Sequence, residues 1–238
     1  MKILGISGSP RAESRSGSIK VVKKIVENTG CEYELISLHG KNIGGCIACM
    51  ACVEDNVCKV HDDMETLRDK IVEADAYVLG GVNYFDTLNA AMLSFMERWY
   101  QFRHREADIL WGKLAVTMSL GGHNPAPATD VLNKICFANV IKVVDNVQGI
   151  GAAGCHYCGY GETCKVGIPY LLQGPDVAPI TLETTPDVTK DEELMQAAED
   201  AGKKLGDMLR SPDYSRGKTV QELMQMMEAM KAERSNIL

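Results

Sequence analysis

Four closely spaced cysteines are the residues of this sequence whose type and spacing imply chemistry most directly. They are Cys46, Cys49, Cys52 and Cys58, in the pattern C-x2-C-x2-C-x5-C. A cubic 4Fe-4S cluster needs four thiolates that converge on its corners, and two-residue gaps let a tightly turning loop present successive sulfurs to one point. Zinc also accepts four thiolates, but its ligands usually come as two separated pairs. The spacing therefore favours a 4Fe-4S cluster, with zinc as the alternative.

A second cysteine group, later in the chain, repeats part of the first. It consists of Cys155, Cys158 and Cys164, which have the spacing of the last three cysteines of the first group. Ala152 stands where the leading cysteine would be, so a fourth ligand has to come from elsewhere. One candidate is Cys136, which precedes the strand predicted at residues 140–147. The others are His156, Cys31, a second subunit and an exogenous molecule. The group predicts a second metal site, with a second 4Fe-4S cluster as the favoured form, and the alternative is a surface loop with free thiols.

A hydroxyl-rich loop, residues 7–18, follows a short apolar run at residues 2–7 that predicts the first strand. Apolar residues with helical spacing come after the loop. Backbone N–H groups at a helix N-terminus, serine hydroxyls and an arginine can together surround one phosphate. The loop contains neither G-x-G-x-x-G nor G-K-[ST], so it favours a mononucleotide over a dinucleotide or a nucleoside triphosphate. The alternative is an ordinary polar turn before a capped helix.

The apolar pattern predicts five strands that alternate with helices. The strands are expected at residues 2–7, 32–38, 76–81, 113–119 and 140–147. The helices include one that begins at Asp62-Asp63 and one that spans residues 90–103. This βαβαβαβαβ order with short crossovers implies a parallel sheet with helices on both faces. Ligands of open parallel sheets bind outside the carboxyl ends of the strands, where aromatic and glycine-bearing loops follow the third and fourth strands.

The chain beyond residue 148 departs from this pattern. Residues 149–188 contain Gly and Pro, have few periodic positions and carry the second cysteine group, and loops of this length tend to be functional. A helix over residues 191–210, capped by Thr189, completes a first domain at residues 1–210. Residues 211–238 form a linker and a helix whose apolar stripe we expect to pack on the same domain or on a second subunit. The stripe consists of Val220, Leu223, Met224, Met227 and Met230.

The composition is that of a globular protein and argues against a nucleic-acid or membrane partner. The chain has 238 residues, of which 45% are hydrophobic and 24% charged, and its formal net charge is −7, whereas nucleic-acid binding needs a basic face. No apolar run approaches the length of a transmembrane helix, and the first residues turn polar too early for a signal peptide. We therefore expect a cytoplasmic protein, in which the nine cysteines serve as metal, cluster or redox ligands rather than as a disulfide framework.

Together these features resemble the iron–sulfur flavoproteins, a branch of the NAD(P)H-dependent FMN reductase family with a flavodoxin-like fold. The resemblance covers residues 2–148. It rests on Gly8-Ser9-Pro10-Arg11, the cysteine run at 46–58, Asp62-Asp63-Met64, and Glu73-Ala74-Asp75 leading into a strand that ends at Asn83-Tyr84-Phe85. The implied fold is α/β, a doubly wound sheet of five parallel strands in the order 2-1-3-4-5. The second cysteine group and the C-terminal helical tail lie outside the resemblance.

The resemblance also implies where FMN binds. Its phosphate would be held by Ser9, Arg11, Ser14 and Ser16. Its isoalloxazine ring would be bordered by Asn83, Tyr84, Phe85, Ser119, Gly121 and Gly122. No residue is assigned to catalysis, because the sequence has no visible Ser-His-Asp or nucleophilic Cys-His arrangement and hydride transfer demands no general base.

The resulting hypothesis is an FMN- and 4Fe-4S-containing oxidoreductase that couples two-electron flavin chemistry to one-electron carriers. Its partners would be a nicotinamide donor, NADH or NADPH, and a redox protein such as a ferredoxin. The resemblance implies a homodimer or homotetramer in which the cluster of one subunit lies near the flavin of another. The alternative hypothesis is a redox-sensing or zinc-stapled flavodoxin-like module without catalytic turnover.

Overall fold

A parallel sheet forms the centre of the structure, a computed structural model that describes residues 1–105, 108–161, 163–167, 170–171, 174, 177 and 179–235. Its parallel strands are β1 (Lys2–Ser7), β2 (Glu32–Ser37), β3 (Ala76–Tyr84), β5 (Leu114–Gly121) and β6 (Lys142–Ile150). They lie in the order β2-β1-β3-β5-β6, which confirms the predicted order 2-1-3-4-5 and the flavodoxin-like α/β fold. A sixth strand, β4 (Thr87–Leu88), is absent from the predicted pattern and pairs antiparallel with β3.

Helices cover both faces of the sheet because its central strands are apolar on both sides. Every residue of β5 is buried. The helices are α1 (Gly17–Glu27), α2 (Glu65–Glu73), α3 (Ala90–Glu97), α4 (Ala126–Ala138), α5 (Cys155–Cys158), α6 (Glu192–Arg210) and α7 (Arg216–Ser235). Side chains of α1 and α6 build one hydrophobic core, and side chains of α2, α3 and α4 build the other on the opposite face. The two cores fix the strands, so the loops at the carboxyl edge of the sheet start from rigid positions.

The helix that the sequence predicts over residues 90–103 is divided into two parts. α3 ends at Glu97, and a 3-10 turn continues over Arg98–Phe102. Trp99 is fully buried in this turn and packs edge-on against Phe95 and Phe102, with ring centroids 5.7 and 6.5 Å away. In a 3-10 helix the side chains at positions i and i+3 are aligned, so Arg98 and Gln101 project in the same direction. That direction is toward the cysteines at 46–58, as described below.

Two helix starts differ from the predicted ones. Asp191, rather than Thr189, caps α6, because its carboxylate accepts the N–H of Leu194 at 3.0 Å. Helix α2 begins at Glu65 and is not capped by Asp62-Asp63. The carboxylate of Asp63 instead accepts the N–H of Asn42 at 2.6 Å, and the carboxylate of Asp62 accepts the N–H of Gly44 and a hydrogen bond from Arg98. These acidic residues therefore attach a loop to the domain instead of starting a helix.

The C-terminal helix α7 packs on its own domain along its first turns. The Tyr214 hydroxyl donates to the carbonyl of Gly112 at 3.0 Å, and the Arg216 guanidinium donates to the carbonyls of residues 108, 109 and 111. Of the predicted apolar stripe only Leu223 is buried, whereas Met230 is exposed. No helix within the described ranges is long and apolar enough to cross a membrane.

Lys113, just before β5, gives the fold a predicted pH dependence. Its ammonium donates to the carbonyls of Val72 and Ile71, at 2.7 and 3.3 Å, at the end of α2. Burial, and to a smaller extent the nearby Arg216, lowers the pKa of Lys113 from 10.5 to about 8. A lysine with a lowered folded-state pKa binds its proton more weakly when folded, so stability rises with pH between the two values.

We therefore expect the free energy of unfolding of the natural protein, minus that of a Lys113→Met variant, to rise between pH 8 and 10.5. The rise should be at most about 3.5 kcal/mol, because each pKa unit corresponds to about 1.4 kcal/mol. Urea unfolding curves of both proteins across this range measure the difference. Lysines other than Lys113 titrate in both proteins, so their contributions cancel in the difference between the two free energies of unfolding. A difference that does not change with pH would contradict the prediction.

Candidate functional site

A cavity of about 830 Å³ lies at the carboxyl edge of the sheet, a volume typical of small-molecule sites. Eight of the ten predicted flavin-site residues line it: Ser9, Arg11, Ser14, Asn83, Tyr84, Phe85, Gly121 and Gly122. They come from the carboxyl ends of β3 and β5 and from the loops that follow β1, β3 and β5, which the parallel register of those strands brings to one edge. The structure thus gathers segments that are far apart in the sequence around one space.

The phosphate-sized end of this cavity lies at the N-terminus of α1. Gly17 and Ser18, the first residues of the helix, line the cavity together with Ser9 and Ser14. Four backbone N–H groups at a helix start have no partner within the helix, and with the helix dipole they favour an anion. Ser16 does not line the cavity, because it is buried and its hydroxyl accepts the N–H of Ile19 at 3.3 Å as the cap of α1. It supports the anion site by fixing the helix start.

Arg11 at this end of the cavity contacts the segment that follows β6. Its Nη2 donates to the carbonyl of Ala152 at 3.1 Å, and its guanidinium lies 4.2 Å from the centre of the Tyr157 ring. Both interactions hold the guanidinium over the cavity that Ser9 and Ser14 also line. Arg11 is therefore placed to meet an anionic group and is oriented by a segment outside the predicted flavin site.

The ring-sized end of the cavity is bordered by a strained hairpin turn. Tyr84 pairs with Thr87 across β3 and β4, and the two residues between them, Phe85 and Asp86, have φ angles of +51° and +55°. A two-residue hairpin turn with both φ angles positive is of type I′, which favours Asn and Gly rather than a bulky aromatic. Such residues cost roughly 1–3 kcal/mol each and tend to occur at functional sites. Phe85 is fully exposed on this turn.

Asn83 lines the same end of the cavity and carries a buried polar atom without a partner. The side chain is 7% exposed, and its Oδ1 is buried without a hydrogen-bond partner. Burying an amide oxygen without a partner costs about 1–3 kcal/mol, so the group is suited to a donor on a bound ligand. A flavin ring carries such an N–H group, and the cavity residues therefore fit FMN at both ends.

The loop after β5 uses its glycines for backbone shape. A Cβ atom at Gly121 would lie 2.7 Å from the carbonyl oxygen of Asn124, so only glycine allows this turn. Ser119, which the sequence assigns to the ring, is buried and does not line the cavity. Its hydroxyl bonds to the carbonyl of Pro125 at 2.8 Å and to the hydroxyl of Thr129 at 2.5 Å. Ser119 thus fixes the loop that carries Gly121 and Gly122.

The first cysteine group surrounds a second, much smaller hollow. All four cysteines line it, together with Arg98, Tyr100 and Gln101. We call residues 44–60 the cysteine loop. Ala48 and Met50 have φ angles of +52° and +58° within it, so left-handed residues interrupt the turns between the cysteines. Alternation of this kind points backbone N–H groups inward and is common around anionic clusters.

Side chains of residues 97–104 hold the cysteine loop from one side. Glu97 accepts the N–H of Cys46 at 3.3 Å, and Gln101 accepts the N–H of Cys58 at 3.0 Å. His104 Nε2 lies 3.2 Å from Cys52 Sγ. Burial, followed by the neighbouring thiols of the first cysteine group, raises the pKa of Cys52. One stretch of chain therefore contacts three of the four cysteines.

A buried ion pair lies beneath the hollow. Arg98 and Asp62 are 2.5 Å apart, and their side chains are 1% and 6% exposed. Burial alone would lower the pKa of Arg98, but Asp62 and then Cys58 raise it above its usual value. Burial opposes ionisation of Asp62 as well, but its hydrogen bonds to Arg98 and to backbone N–H groups lower its pKa. Removing one partner of such a pair leaves a buried charge and costs roughly 3–5 kcal/mol.

The cysteines do not form a preformed site for a single ion. No group of three or more His, Cys, Asp or Glu side chains in the described part of the chain is placed to hold one metal ion. Each thiolate of a 4Fe-4S cluster binds a different iron, so the four sulfurs stand further apart than the ligands of one ion.

The second cysteine group lies beside the flavin cavity. α5 carries Cys155 and Cys158, and Tyr157 between them lines the cavity. A Cβ atom at Gly167 would lie 3.4 Å from Cys155 Sγ and 3.6 Å from Cys164 Sγ, so both sulfurs lie close to this glycine. The cavity wall continues through residues 151–154 and 182–188. Sequence patterns did not predict that any of these residues lines the cavity. The only signal of a function was the length of the connection at residues 149–188.

Of the residues proposed as a fourth ligand, Cys136 is too distant, whereas His156 keeps one ring nitrogen for a ligand. Cys136 is fully buried in the core near the start of β6, whereas Cys155 lies beyond the end of that strand. Nine strand residues span nearly 30 Å at about 3.3 Å each, so Cys136 cannot reach the second group. His156 Nδ1 lies 3.1 Å from the carbonyl of Thr181, which leaves Nε2 as its free ring nitrogen for a ligand.

Comparisons with known proteins agree with this geometry. Residues 1–153 match the family described as NADPH-dependent FMN reductase. An iron–sulfur flavoprotein of Methanocaldococcus jannaschii is 31% identical over 168 residues, which cover 68% of this chain and 82% of that protein. An iron–sulfur flavoprotein of Archaeoglobus fulgidus is 30% identical over 154 residues, which cover 63% of this chain and 69% of that protein.

Solved structures support the fold. RosB with bound 8-demethyl-8-formylriboflavin-5′-phosphate aligns with a TM-score of 0.62 and 16% identity, over 98% of this chain and 87% of RosB. The Trp repressor binding protein from Bacillus subtilis aligns with a TM-score of 0.54 and 17% identity, over 84% of this chain and 98% of that one. At these identities the similarity concerns the fold alone. With the family match over residues 1–153, the chain therefore belongs to the NADPH-dependent FMN reductase family, in its iron–sulfur flavoprotein branch, and is an FMN-dependent oxidoreductase.

Proposed function

We propose that this oxidoreductase exchanges electrons between FMN in the large cavity and a 4Fe-4S cluster held by Cys46, Cys49, Cys52 and Cys58. The observation that carries the proposal is the convergence of all four thiols on one hollow of the same domain that holds the cavity. FMN accepts two electrons as hydride and releases them singly, whereas a 4Fe-4S cluster carries one electron at a time. The chain would thus link a two-electron donor, NADH or NADPH, to a one-electron carrier such as a ferredoxin.

The cavity residues divide the binding of FMN between two ends. The start of α1, with Ser9 and Ser14, receives the phosphate, and Arg11 supplies its positive charge. Asn83 and the glycine turn after β5 border the ring. The turn at Phe85 and Asp86 stands at the open side, where a nicotinamide or another substrate would approach. These residues bind, orient and shield the ring, and no general base is required.

The cluster assignment is supported by the donors around the hollow. A 4Fe-4S cluster with four thiolates is anionic, and hydrogen bonds to its sulfurs stabilise it. The left-handed residues of the cysteine loop and the guanidinium of Arg98 supply N–H groups there. Cys46 and Cys49 are exposed, so an electron partner can approach the cluster directly. That partner is a redox protein or, in a homodimer or homotetramer, the flavin of another subunit.

The first prediction concerns the phosphate end of the cavity. An Arg11→Met variant should bind FMN roughly tenfold to hundredfold more weakly, because a hydrogen bond to a charged group contributes about 1.5–3 kcal/mol. Riboflavin has no phosphate, so its affinity should not change. Flavin fluorescence titration of the apoprotein measures both, and Lys23→Met on the exposed side of α1 is the control. Equal weakening of riboflavin binding would show that Arg11 acts through Tyr157 instead.

The second prediction concerns the cysteine loop. Anaerobically purified protein should contain flavin together with about four iron and four sulfide per subunit from this site. A Cys49→Ala variant leaves three thiolates and should lose most of this iron while FMN still binds, because the flavin cavity and the hollow share no lining residue. Metal, sulfide and flavin analysis of both proteins checks the outcome. Stoichiometric zinc without iron would favour the zinc-stapled alternative, and a colourless protein without flavin would overturn the proposal.

We also propose a second 4Fe-4S cluster at Cys155, Cys158 and Cys164. Its support is the position of this group beside the cavity, whose wall includes Tyr157 between Cys155 and Cys158, so that an electron carrier would lie near FMN. Three local thiolates leave one iron for a different ligand, which is His156 Nε2, a group of a second subunit or a molecule from solution. The iron without a thiolate would be open to exchange, so the site should be more labile than the first.

The third prediction tests this second site. Freshly prepared protein should contain about eight iron per subunit, which two such clusters require. Replacing Cys155, Cys158 and Cys164 by serine should reduce the value to about four without loss of FMN. Iron analysis with parallel flavin absorbance measures both quantities. A value near four in the natural protein that the replacement leaves unchanged would show that these cysteines hold no cluster.

A further inference from the structure

Arg98 is one of the largest fully buried side chains of the protein, although it is charged. It lies at the start of the 3-10 turn that follows α3 and lines the hollow of the first cysteine group. A charge is buried in this way only when its hydrogen bonds are nearly complete, because desolvation is costly. Its hydrogen-bond partners therefore indicate why the chain retains it.

The guanidinium joins the two ends of the cysteine loop. Its Nη1 donates to the carbonyl of Gly44 at 3.1 Å, just before Cys46. Its Nη2 donates to the carbonyl of Val60 at 3.1 Å, just after Cys58. A single planar group thus closes the loop at its base, and the three directions of its fork suit such a task better than the single nitrogen of lysine.

Asp62 holds the guanidinium in this orientation. The carboxylate of Asp62 accepts Nη1 at 2.5 Å and the N–H of Gly44 at 3.0 Å, so acid, loop and arginine form one network. The other oxygen of Asp62 accepts the N–H of Met64 at 3.0 Å, which links the network to α2. The arginine is fixed from the side away from the cysteines.

One donor of this network is unused. Arg98 Nε is buried and has no hydrogen-bond partner among the described residues. Cys58 lines the same hollow as Arg98. An unpaired buried N–H costs free energy, and a thiolate ligand is an acceptor that would satisfy it.

We propose that Arg98 is a positioning residue of the cluster site, which closes the cysteine loop through Gly44 and Val60 and donates Nε–H to the Cys58 sulfur of the bound cluster. This inference rests on the proposed 4Fe-4S cluster. Reduction adds negative charge to a cluster, so a hydrogen bond to a ligand sulfur favours the reduced form and makes the midpoint potential more positive. Loss of the donor should shift the potential in the negative direction.

The test compares Arg98→Lys and Arg98→Met with Arg68→Met as the matched control. Arg68 also donates to a carbonyl of the cysteine loop, that of Asn56, at 3.2 and 3.3 Å, but does not line the hollow of the cysteines. Each protein is prepared anaerobically with its FMN, and three quantities are measured. They are iron per flavin, the midpoint potential of the cluster by spectroscopic titration, and amide hydrogen exchange of residues 44–60.

We expect Arg98→Met to lose most of its cluster iron while it retains FMN. Arg98→Lys keeps the charge beside Asp62 and should regain part of the iron, but its cluster should have a more negative potential and faster exchange in the cysteine loop. Arg68→Met should match the natural protein in iron and potential. A merely structural role would not move the potential of the cluster that Arg98→Lys retains.

The contrary outcomes separate the inference from the proposed function. A natural protein that binds FMN but no iron overturns the cluster proposal, and the role of Arg98 falls with it. Iron in the natural protein together with unchanged iron and potential in both Arg98 variants overturns the role of Arg98 alone. An equal change in Arg68→Met, or loss of FMN from both Arg98 variants, would show that Arg98 stabilises the loop or the domain in general and would also overturn it.

Discussion

The central strands β1, β3 and β5 are buried on both faces, and this burial confines polar chemistry to the carboxyl edge of the sheet. Buried polar side chains such as Ser7 and Thr117 in these strands have partners. Ser7 bonds to Ser18 in the interior, and the buried hydroxyl of Thr117 bonds to Asn133 and Asn146. Such groups cannot turn toward a ligand without leaving a partner unpaired. The functional groups of the cavity therefore come from the strand ends, such as Asn83, and from the loops that leave the strands.

The two sites at this edge are built from strained backbone that the fold holds in place. Ala48 and Met50 are left-handed in the cysteine loop, and Phe85 and Asp86 are left-handed in the hairpin turn. At roughly 1–3 kcal/mol each, these conformations persist only where the surroundings determine them. The network of Arg98 closes the loop at its base, and the pairing of β3 with β4 closes the turn. Rigid elements thus fix the ends of these loops, and the tips of the loops carry residues that can bind a ligand.

The sequence allowed the sheet to be predicted because buried parallel strands have continuous apolar runs. The predicted strand at 2–7 matches β1, and the predicted order of the parallel strands is the observed one. Helix starts were less predictable. The acidic pair Asp62-Asp63 has the local signature of a cap, but its carboxylates bind Asn42, Gly44 and Arg98, which are distant in the sequence. Local patterns do not report such partners.

The predicted flavin site likewise contains residues whose position the sequence predicted and residues whose position it did not. Arg11 in the loop after β1 and Asn83 at the end of β3 reach the cavity, because side chains at the end of a strand or just beyond it have few internal partners. Ser16 and Ser119 have equally suitable hydroxyls but use them for a helix cap and for the turn after β5. The wall formed by residues 151–154 could not be predicted, because it has no periodicity and belongs to a connection that only packing places over the cavity.

The positions of the two cysteine groups lead to an argument about electron paths. The second group lies beside the large cavity, which Tyr157 between Cys155 and Cys158 lines, while the hollow of the first group shares no residue with that cavity. Under the proposed function this cavity holds FMN. The exposure of Cys46 and Cys49 offers a route from the first cluster to a partner at the surface, including the flavin of a second subunit. The second group would receive electrons within the chain, and the first would exchange them between chains.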